Sequence, residues 1–248
     1  MPSENSTILH GDPEHDALRI TIPLILLVAI ICAYLLFANV LPTVLGGEMV
    51  EYSLISACLA LPVGLGAMKL FDLSLKRIWH SGRDIHLNEG QLVFTQPDAD
   101  PIEISFLPDS QMVRWYFKLG AYARIGRERQ IKNGWYCVAV QLQGDNGRLI
   151  AHTFVPEKKL ADFLAILSFR QINMEEVYDT SLTNRVQKFW SPTGRPELPA
   201  ALIIGDNGRQ WAAERHRWDE GVELTPDDFL QLLEAIKQLK MTSLKRSP

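Results

Sequence analysis

The side chains that most often carry enzyme chemistry are spread thinly along this chain. Its histidines occupy positions 10, 15, 80, 86, 152 and 216, with no pair at the spacing of helical metal ligands and no Cys-x-x-Cys motif. There is no Gly-x-x-x-x-Gly-Lys phosphate loop and no Gly-x-Ser-x-Gly nucleophile turn. His216 lies in a run of mixed charge, which we interpret as a solvated strand or loop. The sequence therefore predicts a protein that is not an enzyme and that needs no metal or cofactor.

The most distinctive charge feature is a basic, aromatic stretch that follows an acidic one. Residues 85–113 contain no lysine or arginine, whereas residues 114–132 contain six, interleaved with aromatic residues. Two interpretations stay open: solvated faces that pair with each other, or a surface that binds anionic lipid or an acidic partner. The candidate residues for such a surface are Arg114, Lys118, Arg124, Arg127, Arg129, Lys132, Trp115 and Tyr122. Interleaved aromatics also occur in single-strand nucleic-acid sites, but the net charge of -4 argues against nucleic acid.

Two apolar runs near the N-terminus predict a membrane anchor. Residues 20–45 carry no charge, against the about 20 residues needed to cross a bilayer, and a second apolar run covers residues 52–68 and extends to 73. We interpret the pair as a transmembrane helical hairpin. Gly64, Gly66 and Ala67 either form a smooth face for close helix contact or reflect the ordinary composition of membrane helices. A signal peptide followed by a core helix is the alternative, but the first residues are acidic instead of basic.

Lysine and arginine near the helix ends predict the orientation of this hairpin. The connecting loop has none, whereas Lys69, Lys76, Arg77 and Arg83 follow the second apolar run and Arg19 precedes the first. Because such residues collect on the cytoplasmic side, both termini are expected in the cytoplasm. The expected localisation is a multi-pass protein of a bacterial inner membrane.

Alternating patterns after residue 83 predict an antiparallel sheet. Strand-like segments flank Asn88-Glu89-Gly90 and the Gly-Asp-Asn-Gly turn at residues 144–147, and residues 102–106 alternate with period two. Pro156 then opens an amphipathic helix with Leu160, Phe163, Leu164 and Leu167 on one face. We therefore expect a membrane-anchored α+β fold with a curved sheet or barrel capped by a helix.

The chain combines two apolar helices, the basic connector Lys-Arg-Ile-Trp-His-Ser-Gly-Arg, consecutive hairpins and a terminal helix. In this order of features it resembles bacterial membrane proteins with a pleckstrin-homology-like (PH-like) domain. The resemblance covers residues 71–169 and implies a barrel of seven strands with a C-terminal helix. Family members that bind phosphoinositides carry basic residues in the first strand-to-strand loop. Residues 88–91 contain none, so no lipid-binding residue is carried over.

The last part of the chain reads as a strand-strand-helix extension. We expect a strand at Leu202-Ile203-Ile204 and a helix capped by Thr225-Pro226, with an apolar face that includes Phe229 and Leu232. The sequence Gly-Asp-Asn-Gly-Arg occurs at residues 144–148 and again at 205–209, either as a favoured turn or as the trace of a partial repeat.

These patterns predict four regions. They are an acidic N-terminal tail (1–17), the hairpin (18–75), the PH-like domain (76–179) and the extension (180–248). The expected function is non-enzymatic binding or assembly at the cytoplasmic membrane face, through a protein partner or homo-oligomer and with anionic lipid as a further candidate. An accessory subunit of a membrane enzyme or transporter, or an immunity-type protective protein, is the alternative.

Overall fold

The computed structural model describes residues 7–13, 15–46, 52–88, 91–97, 99–104, 112–119, 131, 134–144, 146–177 and 197–246. The chain divides into two units. One unit covers residues 14–80, and the other combines residues 1–13 with residues 81–248.

The 14–80 unit consists of two apolar helices packed against each other, α1 (Asp16–Leu45) and α2 (Ser53–Ile78). Both are long and apolar enough to cross a membrane, and few of their side chains are buried, unlike those of a core helix in a soluble protein. A Cβ added at Gly64 would collide with Ile30 Cγ1, whereas a Cβ added at Gly66 would meet no atom of another part of the structure within 4 Å. The small face of α2 therefore uses Ser56, Ala60 and Gly64, which are all buried, instead of the predicted Gly66.

The described strands of the second unit form two sheets. The four-stranded sheet has the antiparallel order β1-β2-β3-β4, from β1 (Thr7–His10), β2 (Asp84–Asn88), β3 (Gln91–Gln96) and β4 (Ala99–Ile104). The five-stranded sheet has the order β8-β5-β6-β7-β9, from β5 (Met112–Lys118), β6 (Tyr136–Gln143), β7 (Arg148–Val155), β8 (Arg170–Gln171) and β9 (Val222–Glu223). The short strands β8 and β9 pair in parallel at its two edges.

In its described ranges this unit also has four helices and a 3₁₀ turn (Met174–Glu176). The helices are α3 (Glu157–Ile166), α4 (Ala200–Ile204), α5 (Gly208–Glu220) and α6 (Pro226–Arg246). Thr225 caps α6 as predicted, because its Oγ1 accepts a hydrogen bond from the Asp228 backbone N–H at 3.2 Å.

The larger hydrophobic core draws on both sheets, α3 and α6. Strand residues such as Ile85 and Val138 are fully buried in it, together with Phe163 of α3. The predicted apolar face of α6 is confirmed, since four of its side chains have no exposed area: Phe229, Leu232, Leu233 and Ile236. The described part of residues 180–248 therefore completes the core of the strands, although the sequence placed a domain boundary near residue 180.

A smaller core covers the opposite face of the five-stranded sheet. Phe117 of β5, Phe154 of β7 and Trp211 of α5 are buried in it. The five-stranded sheet is therefore buried on both faces, in agreement with β7, of which every residue after Arg148 is buried.

The predicted hairpins are confirmed. Asn88 pairs with Gln91 between β2 and β3, and Gln143 pairs with Arg148 between β6 and β7. The predicted barrel is not found, because the described strands form two separate sheets without closure. A strand that the sequence did not predict, β1, pairs with β2 and places part of the N-terminal tail in the four-stranded sheet.

The predicted strand-strand-helix extension is wrong. Leu202-Ile203-Ile204 lies in the short helix α4, and His216 lies in the helix α5 instead of a strand or loop. The repeated pentapeptide also takes two different structures: Gly144 N–H donates to Gly147 O in the β6–β7 hairpin, whereas Gly208 N–H donates to Gly205 O between two helices. A repeated strand-turn-strand unit is therefore not found, and only the first copy is a hairpin turn, because the second joins two helices.

Candidate functional site

The predicted basic, aromatic surface is only partly within the described residues. Tyr122, Arg124, Arg127, Arg129 and Lys132 lie outside them, so their role stays a prediction. The remaining three candidates, Arg114, Trp115 and Lys118, all belong to β5. Alternation along a strand places Arg114 and Lys118 on one face and Trp115 on the other.

Trp115 does not belong to a lipid-facing or partner-facing surface, because its side chain has no exposed area. Its indole Nε1 donates a hydrogen bond of 2.9 Å to Glu214 Oε2. Glu214 in turn accepts two hydrogen bonds from Arg217, at 2.8 and 2.9 Å. The Arg217 guanidinium lies 5.6 Å from the centre of the Phe117 ring. This buried polar cluster holds α5 against β5, which corrects the role predicted for Trp115.

Lys118 is the described candidate with the most exposed environment. Its Nζ lies 5.6 Å from the centre of the Tyr136 ring and 4.0 Å from a carboxylate oxygen of Glu157. Both Lys118 and Glu157 are more than half exposed, so this ion pair contributes little to stability. Lys118 therefore keeps the exposure that a binding surface requires.

A concave feature lies where α5 packs over the sheet, and we call it the α5 cleft. Its volume is ≈ 290 Å³. The sheet supplies its floor and α5 its wall, and the lining residues are Val113, Gln141, Gln143, Arg209, Ala212, Ala213 and His216. None of these residues is acidic.

His216 is held at this cleft by side chains from two strands. Arg148 donates from one guanidinium nitrogen at 2.8 Å from the ring Nε2, and Gln141 Oε1 lies 3.4 Å from the ring Nδ1. The same guanidinium nitrogen lies 2.9 Å from Nδ1, and because Arg148 can only donate, a ring that accepts from it fits a neutral imidazole. Burial, and next the charge of Arg148, lower the pKa of His216 below 6.5, while Glu220 and other acids of α5 oppose the shift. His216 is therefore poised in its neutral form by its surroundings.

A second cleft, of ≈ 620 Å³, lies on the other side of Arg148. Arginine and acidic side chains share its lining, which includes Arg83, Arg148, Asp219 and Glu220 beside Phe94 and Ile102. Arg148 Nε is 3.3 Å from a Glu220 carboxylate oxygen, so the two charges partly neutralise each other. This cleft has mixed charge, unlike the α5 cleft.

Arg83 ties together the chain segments that flank the two-helix unit. It forms an ion pair of 2.8 Å with Asp12 and donates to the backbone carbonyls of Glu220 and Gly221. Asp12 also accepts from the Glu223 backbone N–H at 2.9 Å. Sequence reasoning missed this cluster, because Asp12 and Arg83 are distant in sequence and come together only when β1 pairs with β2.

Among the described residues there is no group of three His, Cys, Asp or Glu side chains that could hold a metal ion. Cys137, the cysteine of the described sheet, is buried. Comparison of the chain with protein-family models, with curated proteins and with solved structures finds no match.

Proposed function

We propose that this protein is a non-enzymatic binding or assembly protein, anchored by a transmembrane hairpin, that presents its α+β unit at the cytoplasmic face of a bacterial inner membrane. Two features of the chain support the proposal. The α1–α2 pair exposes long apolar surfaces that water would penalise and a bilayer would cover. The α+β unit has its own buried cores, as a folded binding module requires.

The observation that carries the proposal is the pairing of β1 with β2. Thr7 pairs with Leu87 and His10 pairs with Asp84, although both helices lie between these residues in the sequence. A sheet forms only if both strands are on the same side of a membrane. A segment that crosses twice returns the chain to its starting side, so the pairing supports a two-span anchor with both ends on one side.

The lysine and arginine distribution supports the choice of the cytoplasmic side. Lys69, Lys76 and Arg77 lie in the last part of α2, and Arg83 follows it directly. Such residues are retained on the cytoplasmic side during insertion. We therefore place the α+β unit, and with it both termini, in the cytoplasm.

A PH-like relationship is part of the proposal. Its support is the order of elements: a four-stranded antiparallel sheet, the antiparallel strands β5, β6 and β7, and then α3. Within residues 71–169 the described strands are β2 to β7, followed by α3, which is one strand fewer than the resemblance implies. The two helices between β1 and β2 and the separate sheets are departures from that pattern.

The proposed partner is a protein, or a second copy of this chain, with anionic lipid as a further ligand of the basic stretch. Purification of the full chain from its native membrane in mild detergent tests the proposal. We expect a partner in fixed stoichiometry that cross-links to a photoreactive residue placed at Lys118 and not to one placed at the buried Trp115. A monomer without partner that turns over a substrate by itself would overturn the proposal. A partner that is a membrane enzyme or transporter, or a toxin, would select the accessory or immunity role.

A further inference from the structure

We propose that α1 binds a second copy of this chain within the bilayer, through a contact centred on the side-chain amide of Asn39. This inference rests on the proposed membrane anchor and names one partner of the proposed assembly function. The surface belongs to the α1–α2 unit alone, and all of its residues are described.

Asn39 lies on the face of α1 that is turned away from α2. The face toward α2 includes the buried Ala33 and Ala38 and also Ile30, with which a Cβ added at Gly64 would collide. Asn39 follows Ile30 by nine residues, which is about two and a half helical turns, so the two side chains point to opposite sides. The structure leaves the Asn39 side chain exposed. In a membrane this side chain therefore faces lipid.

The position of Asn39 along α1 places its amide inside the apolar span. It precedes the last residue of α1, Leu45, by six residues, or about 9 Å along the helix axis. No charged residue occurs between Arg19 and Glu48. Polar side chains at such a depth are rare and normally face other protein instead of lipid. The exposed amide therefore indicates a protein contact on this face of α1.

Most of the hydrogen-bonding capacity of this amide is available to a partner. A side-chain amide has two N–H donors and a carbonyl oxygen with two lone pairs. Within the described residues, the Asn39 amide makes one hydrogen bond, from Nδ2 to the Leu35 backbone carbonyl at 2.6 Å. Thr43 Oγ1 donates to the Asn39 backbone carbonyl at 2.8 Å and does not engage the amide. A second amide at the same depth can accept from the other N–H and donate to Oδ1, which lipid tails cannot do.

The exposed side chains around Asn39 have the spacing of a coiled-coil seam. Val28, Cys32, Leu35 and Asn39 are all exposed, and they are separated by four, three and four residues. This spacing places Cys32 and Asn39 at equivalent seam positions one heptad apart. A single asparagine at such a position specifies the register and the number of helices in the contact.

Membrane insertion makes a second copy of the chain the matching partner. Copies that insert in one orientation are related by a two-fold axis along the membrane normal, which brings each Asn39 to the depth of its counterpart. Each amide then donates to the other, so one contact satisfies both. A different protein would need a polar side chain of its own at this depth and register.

Oxidative cross-linking of the full chain in its native membrane tests the contact. Two cysteines form a disulfide without backbone movement only when their Cα atoms lie within about 7 Å, so Cys32 reports on the seam that contains Asn39. We expect copper phenanthroline to give a disulfide-linked dimer that Cys32→Ala loses and Cys58→Ala retains. Cys58 is the matched control, because it is also exposed but lies on α2.

The part of the amide is tested by dilution of donor-labelled and acceptor-labelled chains in liposomes, with energy transfer as the readout. Asn39→Leu should weaken association roughly tenfold, because it removes two reciprocal hydrogen bonds in the membrane. Since Asn39 faces away from α2, this variant should keep the hairpin. The double variant Asn39→Leu with Val40→Asn keeps the amide but moves it by about 100° around the helix, so it should not restore the Cys32 disulfide.

Alkaline carbonate extraction, which leaves integral proteins in the membrane, distinguishes failure of this contact from failure of the proposed function. If the chain stays in the membrane but Cys32 gives no dimer, or if Asn39→Leu associates as tightly as the wild type, this inference is wrong and the proposed function stands. A Cys32 disulfide to a different protein would overturn the second copy as the partner. If carbonate releases the chain, the membrane anchor is wrong, and the proposed function fails with it.

Discussion

Replacement of Glu214 should destabilise the α+β unit far more than replacement of an exposed acidic residue. The side chains of Glu214 and Arg217 are only 2% and 1% exposed, and two hydrogen bonds join them. Glu214 also accepts the hydrogen bond from Trp115 Nε1. Glu214→Gln keeps the size of the side chain and an acceptor for Trp115, but removes the negative charge of the buried pair with Arg217.

The expected cost follows from the loss of one partner of a buried ion pair. Breaking a buried ion pair by removal of one partner costs about 3–5 kcal/mol. Domains of this kind have a total unfolding free energy of about 5–15 kcal/mol, so the variant should be close to the limit of folding. By contrast, Glu234→Gln changes an exposed residue of α6 and should alter the unfolding free energy by about 0.5 kcal/mol or less.

Urea unfolding of the full chain in detergent, followed by tryptophan fluorescence, measures these differences. Trp115 and Trp211 are buried in the smaller core and should report its opening. The double variant Glu214→Gln with Arg217→Met removes both charges of the pair and should recover most of the lost stability. A loss below about 1 kcal/mol for Glu214→Gln, or a double variant as unstable as the single one, would refute the assignment of a buried charge pair.

Three further predictions concern other parts of the chain. The pKa of His216 is lowered in the folded chain, so the unfolded chain binds a proton first as the pH falls through 6.5. The free energy of unfolding should therefore decrease from that pH and level off below the pKa of the folded state. In urea unfolding, His216→Gln should lose this component of the pH dependence. Gly11→Ala should cost about 1–3 kcal/mol in the same assay, because the added Cβ would collide with Val222. Gly64→Ala should lower the mole fraction of SDS in mixed micelles at which α1 and α2 separate, because the added Cβ would collide with α1. Gly66→Ala should leave this mole fraction unchanged. Equal effects of the two α2 variants would contradict the packing described.

Elements with a strong local pattern could be predicted from the sequence. The alternation and turn residues around Asn88 and Gly144 predicted hairpins that the structure confirms. The cap at Thr225 and the apolar spacing after it predicted α6. In these segments the local preferences and the tertiary contacts agree, so one sequence window carries enough information.

Elements that depend on distant partners were missed. Leu202-Ile203-Ile204 reads as a strand because isoleucine favours strands, yet it forms a helix that ends at Gly205, and Gly208 allows close approach of the Ile203 carbonyl. The buried face of α5 includes Glu214 and Arg217, and a hydropathy pattern treats such residues as exposed. The four-residue strand β1 is too short to carry a pattern of its own.

The candidate site shows the same contrast. The α5 cleft combines β5, β6 and α5, so no sequence window contains its lining residues together. Helical spacing of Arg209 and His216 is the available signal, but the mixed charge around His216 favours a strand or loop in the sequence. The sequence neighbours of Trp115 are basic and aromatic, whereas alternation along β5 turns Trp115 to the opposite, buried face.

Topology mapping of the full chain in its native membrane tests the central claim most directly. Reporters that distinguish the cytoplasm from the outside would be fused before Thr7, after Gly46 and after Arg246. The pairing of β1 with β2 and the lysine and arginine distribution predict that the first and third positions are cytoplasmic and that the second is outside. First and third positions on opposite sides, or a cytoplasmic second position, would contradict a two-span anchor that carries this domain.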